Sequence, residues 1–316
     1  MKGLSLLLAL TTMGLSAVSW AGEQIDESMS ADGISVVNIE NMRGKVTIIG
    51  TDDDQVSAKG ELGENAERFV FKKSGNMLKV KVVVKDRHNH RNDYKKGSVF
   101  TVRMPSDIRM NLDGVSTDVK VSNLSENTEV KTVSGDIDAE KLAENIELTT
   151  VSGDINSNNL KGKVRLSSVS GSIVDKNSSG RLQLKSVSGS VKTRSSAQEL
   201  ALSAVSGDID FVLKEVEELV ISIVSGDVDG SLTLLDNGEL KVSGVSSDIE
   251  LEFQDNVNAD FRLRASAGGD IVNRITDKKA TRAKYGPSSK LDFITGHGNA
   301  SVRASVVSGE IKVSSR

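Results

Sequence analysis

From Asn127 onward the chain repeats one alternation of apolar and polar positions in rows of eighteen. The rows read NTEVKTVSGDIDAEKLAE, NIELTTVSGDINSNNLKG, KVRLSSVSGSIVDKNSSG, RLQLKSVSGSVKTRSSAQ and ELALSAVSGDIDFVLKEV. Their second position holds Thr128, Ile146, Val164, Leu182 and Leu200, and their fourth holds Val130, Leu148, Leu166, Leu184 and Leu202. Alternation with period two predicts a half-buried strand. The pentad Val-Ser-Gly-Asp-Ile supplies a second strand segment, in which Val151, Gly153 and Ile155 share one face and Ser152 and Asp154 the other. The step from Leu148 to Val151 is odd, so either a bend reverses the facing between them or Val151 lies outside; we expect the bend.

The pentad serine marks the period. Ser116, Ser134, Ser152, Ser170, Ser188 and Ser206 are evenly spaced at 18 residues, and Ser225 and Ser246 follow at 19 and 21. Degenerate copies continue at Gly268-Gly269-Asp270-Ile271 and at Val307-Ser308-Gly309-Glu310-Ile311. One such unit cannot bury its own apolar face, whereas stacked units cover one another at about 4.8 Å per rung. The pattern therefore predicts an all-β protein, a single-stranded parallel β-solenoid with about 18 residues per coil and a length on the order of 50 Å. Glycine at the pentad centre suits a bulge, a bend or close backbone approach at each corner. Left-handed hexapeptide coils also have 18 residues, but they want an aliphatic residue every six positions, and six beyond Leu148 stands Asp154. Right-handed crossover is the default for parallel strands, and we expect that hand.

Residues 22–106 lack the strict repeat but still alternate as β, with strands expected near residues 46–49, 69–71, 78–84 and 99–104 and turns at Gly50-Thr51-Asp52 and Ser74-Gly75-Asn76. A solenoid needs its first rung capped against edge pairing, and this region is the natural cap, continuous with the repeats of residues 107–316 as one domain. Beyond Phe261 the pattern is irregular again, with long turns around residues 277–290 and at Gly296-His297-Gly298.

The first residues form a different pattern. Lys2 precedes an apolar run over residues 4–18, and Ser19-Trp20-Ala21 places small residues where a signal peptidase cuts, so residues 1–21 are expected to be a signal peptide. The run is shorter than the roughly 20 residues of a spanning helix, and no later segment approaches that length. The mature chain is expected to be exported without an integral membrane span, periplasmic in the first instance, with the cell surface or secretion as alternatives. The chain has no Cys, which excludes both disulfide staples and lipidation at an N-terminal cysteine. Losing Lys2 takes the formal charge from −4 to −5, mild and well mixed, which argues against nucleic acid as a partner.

The stretch RGKVTIIG from Arg43, the strand over residues 99–105 ending in Pro105, and the row of VSGDI units together resemble the bacterial putative-adhesin family of exported β-repeat domains. The resemblance spans residues 36–314. It implies an envelope or surface protein with a solenoid fold and brings no catalytic residues with it.

Candidate chemistry is sparse. The serines stand in no G-x-S-x-G elbow, and only His88, His90 and His297 could serve as a base. The carboxylates of Asp136, Asp154, Asp208, Asp227, Asp248 and Asp270 could form a ladder able to hold calcium, but Ser172 and Ser190 interrupt it and the nonapeptide of calcium-binding β-rolls is missing. We expect these Ser and Asp residues to cap turns through backbone amides instead. In DRHNHRNDY, His88 and His90 could chelate a divalent metal with Asp86 or Asp93 as third ligand, although a solvated loop between Val84 and Val99 explains the cluster more simply. Asp52-Asp53-Asp54 is read as a turn. No metal site, cofactor or catalytic residue is assigned.

Two classes of function are weighed. One is a non-enzymatic binding or structural protein whose long regular faces meet another envelope protein, a glycan or its own copies; the scarcity of aromatic residues favours protein. The other is a polysaccharide-active enzyme of the parallel β-helix type, which needs a carboxylate cluster with basic residues beside it in a groove. Charge spread evenly along the sequence argues against the second.

Overall fold

The computed structural model describes residues 23–85 and 96–316. Among them there is no helix, and none long and apolar enough to cross a membrane. The strands form two columns that run side by side along a stack of coils, mostly in parallel. In one column Thr128–Ser134, Asn145–Ser152, Lys161–Ser170, Ser179–Ser188 and Glu199–Ser206 pair in chain order. In the other, Ile137–Leu142, Ile155–Asn158, Ile173–Lys176 and Val191–Ser195 do the same. Ile146 lies opposite Val164, and Leu148 opposite Leu166, so equivalent residues of successive rows are neighbours.

Alternation explains the core. Ile146, Leu148, Val164, Leu166, Leu182 and Leu184 are all at most 2 % exposed, and each lies over its counterpart in the next coil. The second column adds Ile137, Ile155, Ile173 and Val191, each wholly buried. Burying each such side chain stabilises the fold by about 1.5–3 kcal/mol relative to exposure. Only stacking achieves that burial, since one coil has nothing above or below it.

The facing of the pentad corrects the expected bend. Inward alternation continues to Thr150, which is buried, and Val151 faces outward at 42 % exposure; Ile155 returns to the core. Hydroxyls make this arrangement favourable. Thr150 Oγ1 donates to the Gly135 carbonyl, Ser168 Oγ to Gly153 and Ser186 Oγ to Gly171, at 3.0–3.2 Å. Further along the same column Ala204, Ile223 and Val306 take the inward position without a hydroxyl.

Glycine holds the corner by close approach. A Cβ on Gly153 would lie 2.1 Å from the Gly135 carbonyl oxygen, and on Gly171 1.9 Å from that of Gly153. The opposite corner turns differently, through residues in the left-handed region at Asn123, Lys141, Asn159 and Asn177, with φ of 54–58°. Asparagine tolerates that conformation better than most side chains.

Both ends depart from chain order. Val36–Thr51 pairs with Arg109–Leu124 on one side and with Met77–Val84 and Ser98–Pro105 on the other, so the first long strand lies inside the stack. At the far end Ala300–Ser308 and Glu310–Ser315 insert between Val228–Ser246 with Ile249–Phe253 and Ala259–Ala265 with Asp270–Asn273. Antiparallel strands, Gln24–Ser30 with Gln55–Glu61 and Ala66–Ser74 at one end and Ser289–Ile294 at the other, cover the outermost rungs. Met77–Val84, Ser98–Pro105 and Ala259–Ala265 are thus paired on both sides, with an antiparallel neighbour on the outer one, whereas Asp270–Asn273 pairs only with Glu310–Ser315 among the described residues.

Candidate binding face at the pentad corner

The outward facing of Val151 repeats along most of the stack, up to the outermost coil, where Ser266 stands in that position. Val115, Val133, Val151, Val169, Val187, Val205, Val224, Val245 and Val307 are between 36 % and 49 % exposed, and Met42, at 45 %, stands in the same column beside Val115. The pairing of the flanking residues, Ser134 with Ser152, Ser170 with Ser188, Ser206 with Ser225 and Ser246 with Ser308, places these side chains in one line. Ten rungs at about 4.8 Å make an apolar ladder about 43 Å long.

In the coils of Thr132, Thr150, Ser168 and Ser186 the polarity of the corner is inverted, with hydroxyl side chains buried and valines exposed; beyond them Ala204, Ile223, Gly244 and Val306 hold the inward position while the valines stay exposed. Other outward columns drift freely, for example Glu129, Glu147, Arg165, Gln183 and Ala201 at one position. The preference of strands for β-branched residues would be met equally by Thr, which also suits water. Apolar residues retained at an exposed position, beside positions that vary, make this line the candidate contact surface.

A row of exposed serines borders the ladder, and beyond it stand the carboxylates. Asp136 Oδ1 accepts the Asp154 amide at 2.9 Å, Asp154 Oδ1 that of Ser172 at 2.7 Å, Asp208 Oδ1 that of Asp227 at 3.0 Å, and Asp248 Oδ1 that of Glu310 at 2.7 Å. The carboxylates cap backbone amides, as expected, but reach across to the next coil and so staple coils together. Asp270 accepts instead from Arg282 at 2.9 Å. Among the described residues no group of three or more His, Asp or Glu is placed to hold a metal ion. His88, His90, Asp86 and Asp93 lie outside the described residues.

Two features escaped sequence reading. Asp175, in the second column, is 1 % exposed and accepts from Ser157 and Ser178 at 2.7 and 2.6 Å and from Thr193 at 3.0 Å. Burial pushes its carboxyl above the usual range, and the three hydroxyls pull it partly back. Counting inward from Ile173 would have placed it in the core. The second is a shallow groove of about 590 Å³ on the outer face of that column, where Lys176, Lys192 and Arg194 stand beside Asp210, Asp229, Glu250 and Glu252. Lys192 Nζ lies 2.9 Å from Asp210 Oδ2, and Asp229 is raised by partial burial and by the charges of Asp210, Glu250, Asp227 and Asp208. Charge that is evenly spread in sequence is gathered here because three successive coils bring their acidic positions together.

Fold and corner define a β-repeat protein of stacked coils, with regular side faces and a repeated apolar edge. The chain belongs to the Toastrack DUF4097 family, which matches residues 34–314. No curated protein matches it. Solved structures that the chain matches include a "putative lipid binding protein" from Parabacteroides distasonis ATCC 8503, at 11 % identity and TM-score 0.44, covering 92 % of this chain and 97 % of that one. Another is a "putative adhesin" from Bacteroides fragilis NCTC 9343, at 13 % identity and TM-score 0.37, with coverage of 92 % and 97 %. A third is a "putative cell adhesion protein" from Clostridium sporogenes ATCC 15579, at 11 % identity and TM-score 0.22, covering 93 % of this chain and all of that one.

Proposed function

We propose that this is a non-enzymatic exported envelope protein, adhesin-like in the sense of a binding or scaffolding element, that works through the side of a right-handed β-solenoid of about 18 residues per coil. The ladder from Met42 to Val307 carries this reading, because an exposed line of apolar side chains costs solubility unless something covers it. The apolar run of residues 4–18 supports export, with the periplasm as the expected compartment. A protein partner suits the ladder better than a glycan does, since sugar-binding faces rely on aromatic rings and the ladder has none. Crosslinking in the native envelope, with a photoreactive residue at Val151 or Val224 of the tagged chain, tests the proposal. A reproducible adduct from ladder positions, absent from the outward Lys120, is the expected result; labelling no stronger at the ladder than at Lys120 would contradict it.

The groove favours a second reading, a polysaccharide-active enzyme. A carboxyl raised beside ionised neighbours, with cations adjacent, is the arrangement that such chemistry uses. Asp229 would then be the acid. Release of new reducing or unsaturated ends from acidic polysaccharides by the purified protein, lost in Asp229→Asn, would place this reading first.

A further inference from the structure

Charge is mixed along most of the stack but not at its far end. Residues 274–290 carry six Lys and Arg against the single Asp277, in a chain whose formal net charge is −4. They close the last coil. Asn273 Nδ2 donates to the Lys278 carbonyl at 3.0 Å, the Gly268 amide to the Pro287 carbonyl at 3.1 Å, and the Ala283 amide to the Ser288 carbonyl at 2.9 Å. Thr281–Arg282 is the outermost strand of its column, laid on Ser289–Ile294.

Nearby acids do not neutralise this end, because arginines already hold them. Asp270 lies 2.9 Å from Arg282, Asp260 2.7 Å from Arg262 and Asp292 2.6 Å from Arg264, with Lys290 also close enough to lower the Asp292 carboxyl. Among the described residues Arg274, Lys278, Lys279 and Lys284 form no salt bridge, and all four are exposed. Lys284 Nζ stands 5.4 Å from the centre of the Tyr285 ring, and that ring, at 87 % exposure, projects furthest into water of the large apolar side chains described. The other end of the stack is mixed, with Asp26 and Glu27 on Gln24–Ser30 and Arg68, Lys72 and Lys73 on Ala66–Ser74.

Such an end fits a surface better than a polymer. A polyanion is bound along a groove that tracks its backbone. Here the cations stand on long flexible stems on exposed turns without regular spacing, which suits negative charges that can move sideways to meet them, as lipid headgroups do. Tyr285 points to the same partner, since a ring with a polar tip sits well at the level of the headgroups. We propose that residues 274–290 dock this end of the stack on an anionic membrane surface, with Tyr285 in the headgroup layer. The coils then stand away from the bilayer and the valine ladder stays open along their side. This docking holds whatever covers the ladder.

The test is co-sedimentation of the purified mature chain with vesicles of phosphatidylcholine alone or mixed with phosphatidylglycerol. Binding to the mixed vesicles only, weakened by salt, is the expected result. Combining Lys278→Ser, Lys279→Ser and Lys284→Ser should weaken it about a hundredfold, since each basic residue near such a surface is worth about fivefold. Lys131→Ser with Lys163→Ser and Lys185→Ser, which changes the net charge equally on the side of the stack, should leave binding unaltered. Tyr285→Ser should lose several-fold at every salt concentration. No binding to either vesicle, equal binding to both, or equal losses in the two triple variants would overturn the proposal. So would polyphosphate that binds as tightly as the mixed vesicles and does so unchanged in Tyr285→Ser, because this end would then recognise a soluble polyanion. Ladder crosslinking is a separate readout that none of these outcomes moves.

Discussion

Each coil turns two corners, and they solve the same problem with different chemistry. At the asparagine corner, Asn123, Asn159 and Asn177 take up a left-handed conformation, and Lys141 does so too. At the pentad corner of the regular coils, as at Thr150–Asp154, a glycine pressed against the carbonyl of the previous coil, a buried hydroxyl and a carboxylate reaching the next amide do the work. The valine does none of it. A corner can evidently be built without an exposed apolar residue, and the pentad corner retains one through Val245 and again at Val307 while the asparagine corner drifts after Asn177. The difference separates what turns the chain from what only faces outward.

Substitutions can break that separation. The largest effect is expected at the pentad glycine: Gly153→Ala places a methyl 2.1 Å from a backbone oxygen with coils locked on either side, and should cost about 3 kcal/mol or more in denaturant unfolding. Its counterpart Asn159→Ala loses only a residue suited to φ of 58° and should cost about 1 kcal/mol.

Between the corners lies Asp175. Asp175→Ala leaves the Ser157, Ser178 and Thr193 hydroxyls to find other partners and should cost about 1–3 kcal/mol. Asp175→Asn can retain all three contacts, with its amide donating to Thr193. Because the folded carboxyl lies above its unfolded value, the folded state holds the extra proton, and the contribution of this group falls as pH rises from the unfolded value through the folded one. Asp175→Asn should remove that decline and be more stable than wild type at neutral pH, as measured by thermal unfolding across pH. Smaller still, Lys141→Asn should gain about 0.5 kcal/mol by relieving a left-handed lysine.

Much of this was written in the repeat. Even spacing of the pentad serines predicted which residues would be neighbours, and Ile146 beside Val164 and Leu148 beside Leu166 follow directly. The facing of Val151 was missed because hydrophobicity is a one-way guide: a buried hydroxyl with a carbonyl to bond competes well for an inward position. The order of coils at the ends was missed because spacing specifies neighbours only where copies follow one another. The segment Asn41-Met42-Arg43-Gly44 is a pentad corner too degenerate to recognise, yet it carries the first rung of the ladder. The acidic groove was hidden because Asp210, Asp229 and Glu250 are far apart in sequence and meet only through stacking.

The claim that the valines serve contact and not folding is tested most directly by one variant, Val151→Thr with Val169→Thr and Val187→Thr, followed for both thermal unfolding and ladder crosslinking. The account predicts an unfolding midpoint within a few degrees of wild type, as for other surface changes, together with loss of the crosslinked adduct. A midpoint that falls as it would for three core substitutions, or an adduct that persists, would contradict it.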